Sequence, residues 1–82
     1  MTFNKMVTMG CKDLDALDTA MVEAKQDDAI SGQRFDAGDN EERWVEITYA
    51  GALDTLVEEG FVNLDEKTAI LENEVDTIIF YR

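Results

Sequence analysis

The sequence contains no histidine and no proline, and among its 82 residues there is one cysteine and just seven basic side chains. Each scarcity removes a class of chemistry. Without histidine there is no Ser-His-Asp or Cys-His nucleophile pair within the chain, and no imidazole to hold zinc, copper or haem. A lone cysteine makes neither an internal disulfide nor a multi-thiolate metal site. No apolar run approaches the ~20 residues that cross a bilayer, and none of signal-peptide length follows Met1. The expectation is a soluble protein of a reducing compartment, the cytoplasm, or a host's cytoplasm if the chain is phage-encoded.

What is abundant is negative charge. Nineteen acidic residues set against seven basic ones give a formal net charge of -12. Such a body repels phosphate backbones and anionic lipid alike, which argues against direct nucleic-acid or membrane binding and for a basic partner. The acidity does not signal disorder, because 45% of the residues are hydrophobic and can supply a core. A chain of this length forms one compact acidic domain over residues 1–82.

The apolar pattern gives an order of elements. Phe3, Val7 and Met9 share one parity and predict a strand over 3–9, which Gly10 ends. From Asp13 to about Gln26, Leu14, Leu17, Met21 and Ala24 recur at helical spacing, with Asp13 as N-cap. Residues 29–35, interrupted by Gly32, and Trp44 to Tyr49 read as two strands of a hairpin joined by the acidic turn Asp36 to Arg43. A second helix is predicted from about Tyr49 to Glu59 with Thr48 as N-cap. Gly60 sits in the left-handed position that ends it, and Phe61 folds back on Leu56. A turn at Asn63 to Glu66, a short strand at Thr68 to Leu71 and a terminal strand at Val75 to Tyr81 complete the chain. The order matches a βαββαβ plan: a small α+β domain with an antiparallel sheet and two helices on one face. The terminal strand is apolar on both faces from Ile78 to Tyr81, so it is either central in the sheet or covered by a partner, for which a homodimer would serve.

Several features invite chemistry and fall short of it. Cys11 lies beside Lys12 before a helix, a setting that favours a thiolate. The acids that follow and the lack of a histidine base make it a small hydrophobe in a loop. Asp36, Gly38, Asn40 and Glu42 alternate as calcium ligands do, yet an EF-hand loop needs an acid or amide at its third position and glutamate at its twelfth. Here those are Gly38 and Ile47. A carboxylate pair for acid–base catalysis needs an apolar pocket around one member. Glu46 and Asp76 come nearest, and both read as outward strand positions. A phosphopantetheine carrier needs a serine within Asp-Ser-Leu, whereas the one serine here, Ser31, lies between Ile30 and Gly32. No catalytic, cofactor-binding or metal-binding residue is assigned, and the expectation is a protein that is not an enzyme.

Trp44 stands on the parity opposite Val45, Ile47 and Tyr49. It is either an outward interface anchor or covered by another element. Acids on the hairpin loop and second helix complete a candidate partner-binding set: Asp36, Asp39, Glu41, Glu42, Trp44, Glu46, Asp54, Glu58 and Glu59. A net charge of -12 exceeds the magnitude of about 2–8 that keeps a small domain soluble. Rigidly held carboxylates can imitate the charge array of duplex DNA. The reading is therefore a non-enzymatic acidic protein that occupies or inhibits a basic, nucleic-acid-handling protein. Small phage antirestriction and anti-CRISPR inhibitors share this mechanism, although no motif of such a family is present. The alternative is a small homo-oligomeric accessory protein whose acidity serves solubility or high-salt adaptation.

Overall fold

The computed structural model describes residues 5–39, 41–48 and 52–82. Their elements are β1 (Met6–Gly10), α1 (Leu14–Glu23), a single 3-10 turn (Asp27–Ala29), β2 (Ile30–Arg34), β3 (Trp44–Ile47), α2 (Leu53–Glu58), α3 (Leu64–Glu72) and β4 (Thr77–Tyr81). The four strands form one sheet in the order β1-β4-β3-β2. The α+β class with helices over a four-stranded sheet holds, but the sheet is mixed, not antiparallel: β1 runs parallel to β4, while β4–β3 and β3–β2 are antiparallel.

The direction of β4 follows from a helix that the apolar pattern does not reveal. Residues 68–71, expected as a short strand, belong to α3. Asn63 and Glu66 explain why. The Asn63 side chain accepts from the Glu66 N–H at 2.7 Å, and the Glu66 carboxylate accepts from the Asn63 N–H at 2.9 Å, a reciprocal capping box that starts a helix at Leu64. One helix after β3 would carry the chain to the far end of the sheet. Two helices bring it back to the end it left, so β4 starts beside the end of β3, with Ile47 opposite Ile78. It then slots between β3 and β1. This central place accounts for the apolar residues on both its faces.

The other elements lie close to their expected spans. Asp13 caps α1, accepting from the Ala16 N–H at 3.0 Å, and Leu14, Leu17 and Met21 are buried. Ala24 is exposed, because α1 ends a turn earlier than its apolar stripe suggests. The two hairpin strands pair as expected, with a register shift between Ile30 and Gly32. Thr48 does not cap α2. Its N–H donates to the Ala29 carbonyl at 3.0 Å, and Ala52 occupies the cap position. Gly60 has φ +85°, and the Phe61 N–H donates to the Leu56 carbonyl at 2.8 Å, the Schellman ending expected of it. Phe3 and Tyr49 lie outside the described residues.

A single core joins Leu14, Leu17 and Met21 of α1, Leu53 and Leu56 of α2 and Ile70 of α3 to Val45, Ile47, Ile78 and Phe80 of the sheet. The alternate strand residues, among them Trp44, Glu46, Ile79 and Tyr81, point to the opposite face, which these helices leave open. No helix among the described residues is long and apolar enough to cross a membrane.

Candidate functional site

All nineteen carboxylates lie within the described residues; fifteen are exposed, four half-buried, and none is buried. Among the described residues just two ion pairs form, Arg34 with Glu41 and Lys67 with Asp54. Close packing of opposite charges therefore leaves most of the acidity facing water.

The nine expected partner-binding residues do not form one patch. Asp36, Asp39, Glu41 and Glu42 sit on the hairpin loop, at the end of the sheet where Arg34, Trp44 and Tyr81 are in register. Asp54, Glu58 and Glu59 belong to α2 and its C-terminal turn. That helix follows the opposite end of β3, beyond Ile47. Trp44 and Glu46 are half-buried on the open sheet face, between the two groups. The spacing along the chain gave no means of separating these three locations, because strand direction decides which end of the sheet each loop occupies.

The hairpin end also gathers all three arginines of the chain, Arg34, Arg43 and Arg82. The guanidinium of Arg34 donates to the Glu41 carboxylate, which accepts a second bond from the Gly38 N–H at 3.2 Å and so closes the loop on itself. Arg43 and Arg82 line one hollow with Asp39 and Glu41, and line another with Lys12, Asp13 and Asp15. The Arg82 N–H donates to the Arg43 carbonyl at 3.1 Å. Six carboxylates, Asp13 and Asp15 with the four of the loop, thus meet three arginines and a lysine there for a formal charge of -2, so -10 of the net -12 falls on the remainder of the chain. That remainder is chiefly the helical layer: Asp18, Glu23, Asp27 and Asp28 on and after α1, and Asp54, Glu58, Glu59, Asp65, Glu66, Glu72 and Glu74 on α2, α3 and their turns.

Trp44 points away from the helices, as its parity predicts, and its ring lies across Gly32 of the neighbouring strand. A methyl group at Gly32 would come within 2.9 Å of the Trp44 Cζ3 atom. The indole is thus half-covered by its own sheet and not by a helix, with Tyr81 opposite it on β4. Cys11 is half-buried against the core, and its thiol lies 3.5 Å from the Asp13 carbonyl. Among the described residues no group of three or more acidic or thiol side chains is arranged to hold a metal ion. Asn40 of the calcium-like loop lies outside them.

One hollow among the described residues is not announced by the apolar pattern of the sequence. An open groove of about 550 Å³ runs between the outer edge of β1 and α3, walled by Val7, Met9, Ala69, Ile70 and Val75 with Glu66 at its rim. Its signals were present: an uncharged stretch from Met6 to Gly10, and the capping pair Asn63 and Glu66. No protein-family model matches the chain, and neither a curated protein nor a solved structure gives a significant match.

Proposed function

We propose that this protein is a non-enzymatic acidic binder that occupies the basic surface of a nucleic-acid-handling protein. The observation that carries the reading is the distribution of charge: a net -12 held mainly on one helical layer, with fifteen of nineteen carboxylates exposed and two ion pairs among the described residues. Carboxylates fixed on helices keep their mutual spacing, so they meet a basic groove without first being ordered. A flexible acidic tail would lose conformational entropy on binding. The same field accelerates encounter with a cationic partner. The hairpin loop, whose four carboxylates lie among three arginines and a lysine, contributes less to this attraction.

The test is affinity capture from the native cell, followed by competition. The captured protein is basic, its retention falls steeply with salt, and duplex DNA or RNA displaces this chain from it. Neutralising the helical acids with Asp54→Asn, Glu58→Gln and Glu59→Gln weakens retention and flattens its salt dependence. The hairpin set Asp36→Asn, Asp39→Asn and Glu42→Gln changes it little. Capture that is indifferent to salt, or a partner with no basic surface, overturns the reading.

A further inference from the structure

The two edges of the sheet are unlike. β2 is guarded: its pairing shifts register between Ile30 and Gly32, and it carries a charged Arg34, both devices that discourage another strand from pairing. β1, Met6–Gly10, is the other edge. It has no proline and no charged residue, and its register with β4 runs without a break. The Lys5 carbonyl accepts from the Thr77 N–H at 3.2 Å, and the Cys11 N–H donates to the Tyr81 carbonyl at 2.8 Å. In a parallel ladder these ends turn the peptide groups of Lys5, Val7, Met9 and Cys11 toward β4. They leave the N–H and C=O groups of Met6, Thr8 and Gly10 pointing outward. Among the described residues β1 pairs with no strand but β4.

We propose that this edge pairs with β1 of a second copy of the chain, antiparallel about a two-fold axis at Thr8, so that two four-stranded sheets join into one. The inference stands apart from the charge-based reading, which concerns the helical layer. Centred on Thr8, the pairing uses every outward group of β1. Thr8 faces Thr8, and Met6 faces Gly10, as hydrogen-bonded pairs. Any other centre leaves some of these groups open. The side chains suit the same register. Met6, 60% exposed, comes to lie opposite Gly10 of the other copy, where an added Cβ would have met nothing within 4 Å. Val7 stands opposite Met9 of the other copy as the closer, non-hydrogen-bonded kind of pair, on the side of the helices. There the two side chains cover the groove between β1 and α3, whose apolar walls include Val7, Met9, Ala69, Ile70 and Val75. The charges in the groove are one acid, Glu66, and one lysine, Lys5. α3 runs back toward Lys5, whose carbonyl accepts from the Asp76 N–H at 3.0 Å, so Glu66 in its first turn lies toward the Met9 end. Antiparallel pairing brings Lys5 of the other copy to that end, opposite Cys11 and on the helical side. Each Lys5 thus meets Glu66 of the other copy, whose second carboxylate oxygen is left over from the cap of α3. These two contacts offset part of the repulsion between bodies of net charge -12, and salt screens the rest. A contact built on one strand and a groove is small, so the dimer is weak and depends on concentration.

The test is sedimentation of the intact protein from about 10 to 500 μM, with amide-resolved hydrogen exchange at both ends of that range. The mass rises with concentration toward that of two chains. It rises further between about 0.02 and 0.5 M sodium chloride, the opposite of the salt response expected for capture of a basic partner. In the dimer, exchange at Met6, Thr8 and Gly10 slows by roughly tenfold or more. In a mixture of labelled and unlabelled chains, an isotope-filtered spectrum connects Val7 Hα to Met9 Hα of the other copy, the contact that the centre at Thr8 requires. Thr8→Pro removes an outward N–H and no bond to β4, so it keeps the fold and weakens the dimer roughly tenfold or more. Lys5→Glu sets acid against acid and weakens it independently. Lys25→Glu makes the same change of charge at an exposed position after α1 and alters it little. The proposal is overturned by a chain that stays monomeric at every concentration and salt, or by a dimer whose β1 amides exchange as fast as the monomer's. A dimer that neither Thr8→Pro nor Lys5→Glu weakens also overturns it. An effect of Lys25→Glu equal to that of Lys5→Glu overturns the contact with Glu66, because net charge alone then decides the association.

Discussion

At the scale of single residues, Trp44 shows how much alternation conveys. Its parity places it opposite Val45 and Ile47, and the structure agrees. What parity omits is the neighbour across the strand, since the meeting of Trp44 with Gly32 depends on a register that shifts between Ile30 and Gly32. Replacing Gly32 with alanine therefore moves the indole and not the backbone. Because alanine also suits an extended strand better than glycine, stability changes by less than about 1 kcal/mol. The tryptophan emission shifts to the red as the ring is lifted into water. An unshifted spectrum would mean that the ring does not lie on Gly32. Glu41 tells a similar story. It was legible as an acid in a turn, but its engagement by Arg34 and Gly38 depends on how the loop closes. Both partners of this ion pair are about half exposed, so Glu41→Gln costs less than about 1 kcal/mol in thermal or urea unfolding.

At the scale of elements, helix ends decide more than apolar stripes. All three helices finish with a left-handed residue, Lys25, Gly60 and Glu74, at φ 59°, 85° and 55°. In each the following N–H reaches back across the last turn: Gln26 to Met21, Phe61 to Leu56, and Val75 to Ile70. The ending at Gly60 could be read from the sequence, because glycine announces it. Lys25 and Glu74 carry no such sign. The left-handed region costs an ordinary residue about 1–2 kcal/mol, and glycine gives part of that back as unfolded-state entropy. Glu74→Gly is thus expected to stabilise the domain by roughly 0.5–1 kcal/mol, seen as a higher urea midpoint. The start of α3 has the opposite sensitivity. Asn63→Ala breaks the capping box and destabilises by about 1 kcal/mol, with the loss of hydrogen-exchange protection concentrated in Leu64–Glu72. The stretch 68–71 resembled a strand because Ala69, Ile70 and Leu71 form a short apolar run, which periodicity cannot assign to helix or strand. The cap, three residues apart in sequence, carried the deciding information.

At the scale of the whole molecule, a small core works against a large self-repulsion. Phe80 is fully buried on the central strand, between Met9 of β1 and Val45 of β3. Phe80→Ala is expected to cost about 3–5 kcal/mol. A domain this small commonly has little more stability than that, so the variant is largely unfolded near body temperature by circular dichroism. The net charge of -12 acts in the other direction from the core. Salt screens the mutual repulsion of exposed carboxylates, so the melting temperature rises between about 0.02 and 0.5 M sodium chloride. A melting temperature that falls with salt would show that the two ion pairs outweigh the repulsion.

The sequence by itself determined which residue types are missing, the sign of the charge, the α+β class, the first helix with its aspartate cap, the hairpin and the apolar terminal strand. These rest on short-range rules: residue type, spacing within one element, and capping over a single turn. Only the tertiary structure decided that β4 runs parallel to β1 and antiparallel to β3, that the hairpin acids meet three arginines while the helices keep most of the net charge, and that the β1 edge lies beside a groove. Each of these depends on which end of the sheet the chain returns to after β3. That is set by the number of helices between β3 and β4, and no local pattern records strand direction.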